Sequence, residues 1–227
     1  WQWQYYSMPG VRPEQVRNVE LGYRSTWWDR LYLDATYYYS WYKDFIGYHL
    51  ALNIDDNPGG SAADRLRGVQ AYRIASNAQE QVTTQGFSIG ANYYVSRYTL
   101  AGNYTWNVLN SGAEDPIIPA YNTPEHKYNL SLSGRDLDWG LGKGRCGYTI
   151  AYKWVEGFLF EGSPQFTGRI PSYSLVDAQT TWTSEDAQWT VKLGVSNALN
   201  QRVVQVYGGP TVGRLAYISL TWDAPVK

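Results

Sequence analysis

The sequence predicts an all-β protein, an antiparallel transmembrane β-barrel, and three observations predict it. The first is strict alternation. Across residues 98–108, Tyr98, Leu100, Tyr104, Trp106 and Val108 share one face, and Thr99, Ala101, Asn103, Thr105 and Asn107 share the other. A two-residue period of this kind marks an extended strand with two unlike faces. The second is the aromatic content, 16% of the 227 residues, with 21 Tyr and 11 Trp against 5 Phe. Rings with a polar handle suit the two interfaces of a bilayer better than a dry core. The third is a mean hydropathy of -0.45 with no apolar run long enough for a transmembrane helix. Barrel strands escape that limit, because alternation dilutes their hydropathy to that of a soluble protein.

Composition also narrows the function classes. A formal charge of -1 argues against electrostatic binding of nucleic acid. The lone cysteine, Cys146, excludes internal disulfides and a Cys-based zinc site.

Taken in order, residues 1–12 lack a period and read as an aromatic loop. Residues 14–27 form the first strand, with Val19, Leu21, Tyr23 and Trp27 on one face and Asn18, Glu20, Gly22 and Arg24 on the other. After a tight turn at 28–30, residues 31–41 place Leu31, Leu33, Ala35, Tyr37, Tyr39 and Trp41 outward, with Asp34, Thr36 and Ser40 inward. Rise and tilt give this strand a height of roughly 25 Å, the apolar band of an outer membrane. Residues 49–68, which contain Asn57 Pro58 Gly59 Gly60, read as a long exposed loop.

Residues 71–95 admit two readings, two strands around a turn at 76–81 or one long bulged strand. Barrels alternate short periplasmic turns with long external loops, and a single strand preserves that alternation here. The remaining strands are residues 98–108, 125–134, 143–154, 173–183, 188–199 and 214–222, giving about nine in all. Their lipid-facing positions are read as free of Asp, Glu, Lys and Arg, and the lumen face as holding Glu20, Arg24, Asp34, Lys127, Lys153, Asp177 and Lys192. Trp27, Trp182, Trp189 and Trp222 belong to the periplasmic belt; Trp41, Trp106 and Trp154 belong to the external one.

An odd strand count has a structural consequence. Complete bacterial barrels have an even count with both termini periplasmic, and an open sheet would leave two edges of unpaired backbone in lipid. The chain is therefore expected to be the C-terminal part of a larger barrel.

Several segments resemble the barrel of TonB-dependent outer-membrane receptors: Pro13 Glu14 with Glu20 Leu21 Gly22 Tyr23, Lys43 Asp44 Phe45 Ile46, Thr84 Gln85 Gly86 Phe87, Pro124 Glu125 His126 Lys127 with Asn129, Val195 Ser196 Asn197 Ala198 Leu199 Asn200, and Gly213 Arg214 with Tyr217. They follow the family's order along nearly the whole chain. The runs 37–42 and Tyr207 Gly208 Gly209 Pro210 resemble Bacteroidota members. The resemblance implies a barrel of about 22 strands filled by an N-terminal plug, importing a scarce nutrient with energy from TonB. On this reading residues 1–227 are the C-terminal portion of the barrel domain, and plug and TonB box lie outside them. The implied partners are outer-membrane lipid, the N-terminal barrel strands and plug, TonB through the missing N-terminal part, and a surface lipoprotein where the receptor uses one. After Trp222, residues 223–227 depart from the family's terminal aromatic.

Ligand binding is assigned to the external loop aromatics Trp1, Trp3, Tyr5, Tyr6, Tyr48, Tyr121, Phe158, Phe160, Phe166 and Tyr207, which offer large contact area at low entropic cost. The competing reading for each is packing of loop on loop. His49 and His126 lack a companion at metal-ligand spacing and read as loop-edge residues, so no metal, no cofactor and no catalytic residue is assigned. Asp177 and Lys192 are expected to pair across the lumen wall, and Cys146 to be inert near the periplasmic end. The alternatives to a receptor are a passive porin, an outer-membrane hydrolase, for which no Ser/His/Asp set is evident, and a soluble β-sandwich, whose strands are usually shorter.

Overall fold

The computed structural model describes residues 10–53, 70–111, 121–162 and 166–224. Every regular element among them is a strand: β1 (Gln15–Trp27), β2 (Leu31–Lys43), β3 (Ile46–Asn53), β4 (Gln70–Asn77), β5 (Val82–Val95), β6 (Tyr98–Asn110), β7 (His126–Leu137), β8 (Gly144–Val155), β9 (Phe158–Phe160), β10 (Gly168–Ile170), β11 (Tyr173–Ser184), β12 (Trp189–Ser196), β13 (Val203–Val204), β14 (Thr211–Val212) and β15 (Leu215–Trp222). A nine-stranded sheet runs in the order β1-β2-β5-β6-β7-β8-β11-β12-β15, antiparallel throughout and open at both edges. The other six strands form three two-stranded hairpins.

Register carries the two faces across the whole sheet. Trp27 pairs with Leu31, Leu31 with Tyr93, Tyr93 with Leu100, Leu100 with Leu132, Leu132 with Ile150, Ile150 with Ala178, Ala178 with Val195 and Val195 with Ala216. A one-residue slip anywhere would have turned that apolar row over. The face it lies on is exposed in this chain, Leu21 and Ile218 each at 73%, a contiguous apolar surface of the kind lipid covers. Along the opposite face run Arg24, Asp34, Gly90, Asn103 and Asn129, paired in turn.

Connections alternate in length. At one end the turns are tight: Trp28 and Asp29 (φ 51 and 53°) after β1, Ser96 (φ 54°) after β5, and Ala187 (φ 57°) after β11. At the other end lie the long connections 44–81, 111–125, 156–172 and 197–214. The tryptophans sort to the two ends of the sheet. Trp189 faces Trp222 with ring centroids 6.1 Å apart beside a short turn, whereas Trp154 stacks on Tyr128 at 5.3 Å toward the long loops.

Two readings of the sequence need correction. Residues 71–95 are not one strand: β4 ends at Asn77 and pairs with β3 in a separate hairpin, Ile46 opposite Asn77, and only β5 enters the large sheet. The break is held locally. The Asn77 amide donates to the carbonyls of Arg12 and Asp44, Ala78 N donates to Phe45 O at 2.7 Å, and Ala78 and Val82 are buried against Tyr42, Phe45 and Leu109. The strand count survives because the hairpin is part of a long connection, which also makes 49–53 strand rather than loop. The apolar face is also not free of charge, since Arg17 lies opposite Trp41 and Lys43 opposite Gln15 on that face.

Candidate functional site

The long connections rise from the sheet as small hairpins that are tied to one another. Between β8 and β11, β9 and β10 pair Phe160 with Gly168 and Phe158 with Ile170. The connection after β12 starts on Asn197 and Asn200, both in the left-handed region (φ 52 and 53°) that asparagine tolerates. Asn197 is 4% exposed. Its side chain donates to Gln201 O at 2.6 Å and accepts from Gln201 N at 2.9 Å, while its own amide donates to Asp177 Oδ1 at 2.8 Å. Asn200 Oδ1 accepts from Arg214 N at 3.0 Å and closes the connection.

Two aromatic-on-glycine contacts join this connection to the β9–β10 hairpin. The Tyr207 ring lies on Gly168, and the Phe166 ring lies on Gly208, whose φ is +75°. Neither glycine has room for a side chain. A third connection is stapled on by Asn122, which donates to Glu161 O at 3.2 Å and accepts from Glu161 N at 2.7 Å. Next to it, Tyr121 is half-buried over the lumen-facing Tyr38. Burial first, and its hydrogen bond with Tyr38 second, push the Tyr121 hydroxyl up, so it stays protonated. Tyr38 in turn donates to Asn107 Oδ1 at 3.0 Å.

Of the expected site residues, the structure thus brings Tyr121, Phe158, Phe160, Phe166 and Tyr207 onto three adjoining connections. Phe166 and Tyr207 pack loop on loop and remain exposed, at 47% and 38%. Tyr48 stands apart on β3, with the Arg73 guanidinium 3.5 Å over its ring. Trp1, Trp3, Tyr5 and Tyr6 lie outside the described residues.

The inner wall below is polar and cross-linked. Arg24 Nε donates to Asp34 Oδ2 at 2.5 Å, as the tight first turn implies. Ser40 donates to Asn18, Asn18 to Glu20, Asn129 to Asn103, and Tyr217 to Gln179. The expected Asp177–Lys192 pair does not form. Lys192 lies opposite Thr181, four residues along from Asp177, and Asp177 caps Asn197 instead. Cys146 is buried between Leu137 and Trp182 near the short turns.

Sequence spacing also missed a companion for His126. Glu125, His126 and Glu156 bring one ligand atom each within 4.8 Å of one another, because pairing of β7 with β8 sets Glu156 beside a residue thirty positions earlier. Each group is already engaged: Glu156 accepts from His126 N at 3.1 Å, His126 Nδ1 meets the Tyr104 hydroxyl at 2.6 Å, and Glu125 accepts from the Trp106 indole at 2.9 Å.

With this geometry in hand, the TonB dependent receptor-like β-barrel family matches residues 2–198. Among solved structures, the chain is similar to the FrpB iron transporter from Neisseria meningitidis (F5-1 variant), at 17% identity and TM-score 0.65 over 94% of this chain and 32% of that one. It is similar to the copper transporter OprC, at 13% identity and TM-score 0.70 over 94% and 32%. It is also similar to the siderophore receptor PirA from Acinetobacter baumannii, at 17% identity and TM-score 0.64 over 93% and 32%. At these identities the likeness is one of fold, and the chain spans about a third of their length. Sequence comparison with curated proteins finds no match.

Proposed function

The chain belongs to the family of TonB dependent receptor-like β-barrels, and on that premise we propose that it forms part of the wall and external rim of a receptor that imports a scarce nutrient with TonB-supplied energy. Its place is the bacterial outer membrane, and its family and solved neighbours are receptors and transporters rather than enzymes. The observation that carries the reading is the knitting of the connections 121–125, 156–172 and 197–214 into one aromatic-bearing rim above a polar, hydrogen-bonded wall. Phe166 and Tyr207, half-exposed on that rim, are the residues we assign to first contact with the ligand, with Tyr121 behind them. The neighbours are named for iron, copper and siderophore, which makes a metal-bearing nutrient the first class to test.

The same proposal places these nine strands in the C-terminal portion of a larger barrel, with further strands on both edges and a plug against the polar face. The test is uptake of radioactive iron, free and siderophore-bound, by cells whose growth under iron limitation depends on the intact receptor. Uptake should stop when TonB is deleted and fall when Phe166 and Tyr207 are both replaced by alanine. Uptake that continues without TonB would point to a passive pore and overturn the proposal.

A further inference from the structure

Among the described residues, one group of three metal-ligating side chains comes together: Glu125, His126 and Glu156, at the long-loop end of β7 and β8. It lies inside the sheet rather than at an edge, since β6 flanks β7 and β11 flanks β8. His126 lies opposite Trp106, so its ring belongs to the apolar outer face with Tyr128 and Trp154. Glu156, two residues beyond Trp154, falls on the same face by alternation. Glu125 should not, because alternation from His126 would turn it toward the lumen. The chain bends at Glu125, and its carboxylate instead reaches the outer-face Trp106 indole at 2.9 Å.

Each of the three is held by a partner outside the group, and each hold uses one atom of two. The Tyr104 hydroxyl meets His126 Nδ1 at 2.6 Å, and the two rings stack with 24° between their planes. That contact fixes the ring and turns Nε2 toward the carboxylates, 3.9 Å from Glu125 Oε1. Glu125 Oε1 accepts from the Trp106 indole and Glu156 Oε2 from the His126 amide, so each carboxylate has its second oxygen for an ion. One ligand atom from each residue lies within 4.8 Å of the others. Donors around a tetrahedral zinc ion, at bonds of about 2.0 to 2.1 Å, stand roughly 3.3 Å apart, a difference that rotation of the two carboxylates closes. Two carboxylates at this spacing repel, and among the described residues neither has a Lys or Arg as ion-pair partner.

We infer that Glu125, His126 and Glu156 bind a divalent transition-metal ion of the zinc class, which clamps residues 121–125 to the start of the connection 156–172. One imidazole with two carboxylates suits zinc better than magnesium or calcium, which take all-oxygen shells. Three protein ligands leave one tetrahedral position for water. With the ion on Nε2, the neutral ring keeps its proton on Nδ1 and donates it to the Tyr104 oxygen. The site is structural and stands apart from any nutrient path through the lumen, because it opens on the outer face of the sheet. Its consequence is a stiffer rim, since Asn122 and Glu161 join the same two connections further along.

The test is hydrogen–deuterium exchange on the intact receptor in detergent, stripped with a chelator and titrated with zinc chloride, with magnesium chloride as the comparator. Zinc should slow exchange in 121–126 and 156–162 about fivefold and leave 215–222 unchanged. Reading protection at those two segments keeps zinc bound elsewhere on the receptor from counting. His126→Gln and Glu156→Gln should each raise the zinc midpoint of that protection by more than about tenfold, and Tyr104→Phe by about tenfold. His49→Gln should leave it where it is. Absence of protection at saturating zinc would overturn the inference, as would equal protection by magnesium or an unshifted midpoint in folded His126→Gln. Should both ligand variants fail to fold, Tyr104→Phe decides: a raised midpoint supports the site and an unshifted one rejects it.

Discussion

Replacing Gly168 by alanine should undock two external connections without touching the membrane sheet. A Cβ built on Gly168 falls inside contact distance of three atoms of the Tyr207 ring, so either the ring or the β9–β10 hairpin must move. Overpacking of this kind costs about 1 to 3 kcal/mol. The low half of that range applies, because Tyr207 is 38% exposed and the struck atoms are at the far end of its side chain rather than in backbone. A loss of about 1 to 2 kcal/mol in docking raises local opening roughly 5- to 30-fold. Hydrogen–deuterium exchange on the intact receptor reads this directly, as faster exchange in 158–162 and 203–212 with 98–110 unchanged. In a Tyr207→Ala background the three atoms nearest the added methyl are gone, and the cost of Gly168→Ala should fall to within about 0.5 kcal/mol of zero. Equal effects of Gly168→Ala with and without Tyr207 would refute the packing argument.

Other perturbations probe the wall, the turns and the orientation. A double-mutant cycle on Arg24 and Asp34 in the intact receptor should give a coupling above about 1 kcal/mol, because a plug covering this wall would strand the remaining charge. A coupling near zero, as for an exposed pair, would leave the register standing and reject a dry plug. At the turn after β11, Ser184 first and the Gln188 amide second hold the Asp186 carboxyl below its ordinary range. Its contribution is therefore present above that range and lost as pH falls through the depressed value. Amide exchange at Gln188 and Trp189 should accelerate in acid beyond the intrinsic rate, and the excess should vanish in Asp186→Ala. Depth-dependent quenching by membrane probes should place positions 106 and 189 at opposite interfaces; the same depth for both would reverse or abolish the assigned orientation.

The nine-strand register was legible because each strand has two unlike faces, and a period of two leaves one choice of which side chains point outward. The Arg24–Asp34 bond followed from the turn at 28–30 alone. What stayed hidden depends on contacts distant in sequence or on residues with little chemistry. Counting connections by length cannot tell a loop from a hairpin leaving the sheet, so 49–53 was read as loop and 71–77 as the start of the strand that enters the large sheet. The Asn77 amide that breaks the strand acts on carbonyls 33 and 65 residues away. Asn197 stood inside a noted motif, but only its bonds to Gln201 and Asp177 reveal that it starts the connection. Gly168 and Gly208 read as loop glycines until rings are seen lying on them. Glu156 lay too far from His126 in the chain for ligand spacing to register. Arg17 fell in a strand whose apolar run starts at Val19, and the structure shows that the run continues above the apolar band into a cationic edge.

The open edges set where all of these energies have to be measured. Along β1, a strand of 13 residues with a partner on one side only among the described residues, about six backbone donors and as many acceptors point away from the sheet. In hydrocarbon each unsatisfied group costs several kcal/mol, so the β1 edge alone would cost tens of kcal/mol, more than the roughly 5 to 15 kcal/mol that stabilises a typical domain. Water relieves that cost but leaves the apolar face at β1, Val19 and Leu21 included, without lipid. Neither solvent suits this sheet while both edges are free. On the proposed placement within a larger barrel, strands beyond β1 and β15 in a bilayer satisfy both faces and both edges together, and the strength of any contact here, from Arg24–Asp34 to the docked loops, is then a property of the closed barrel.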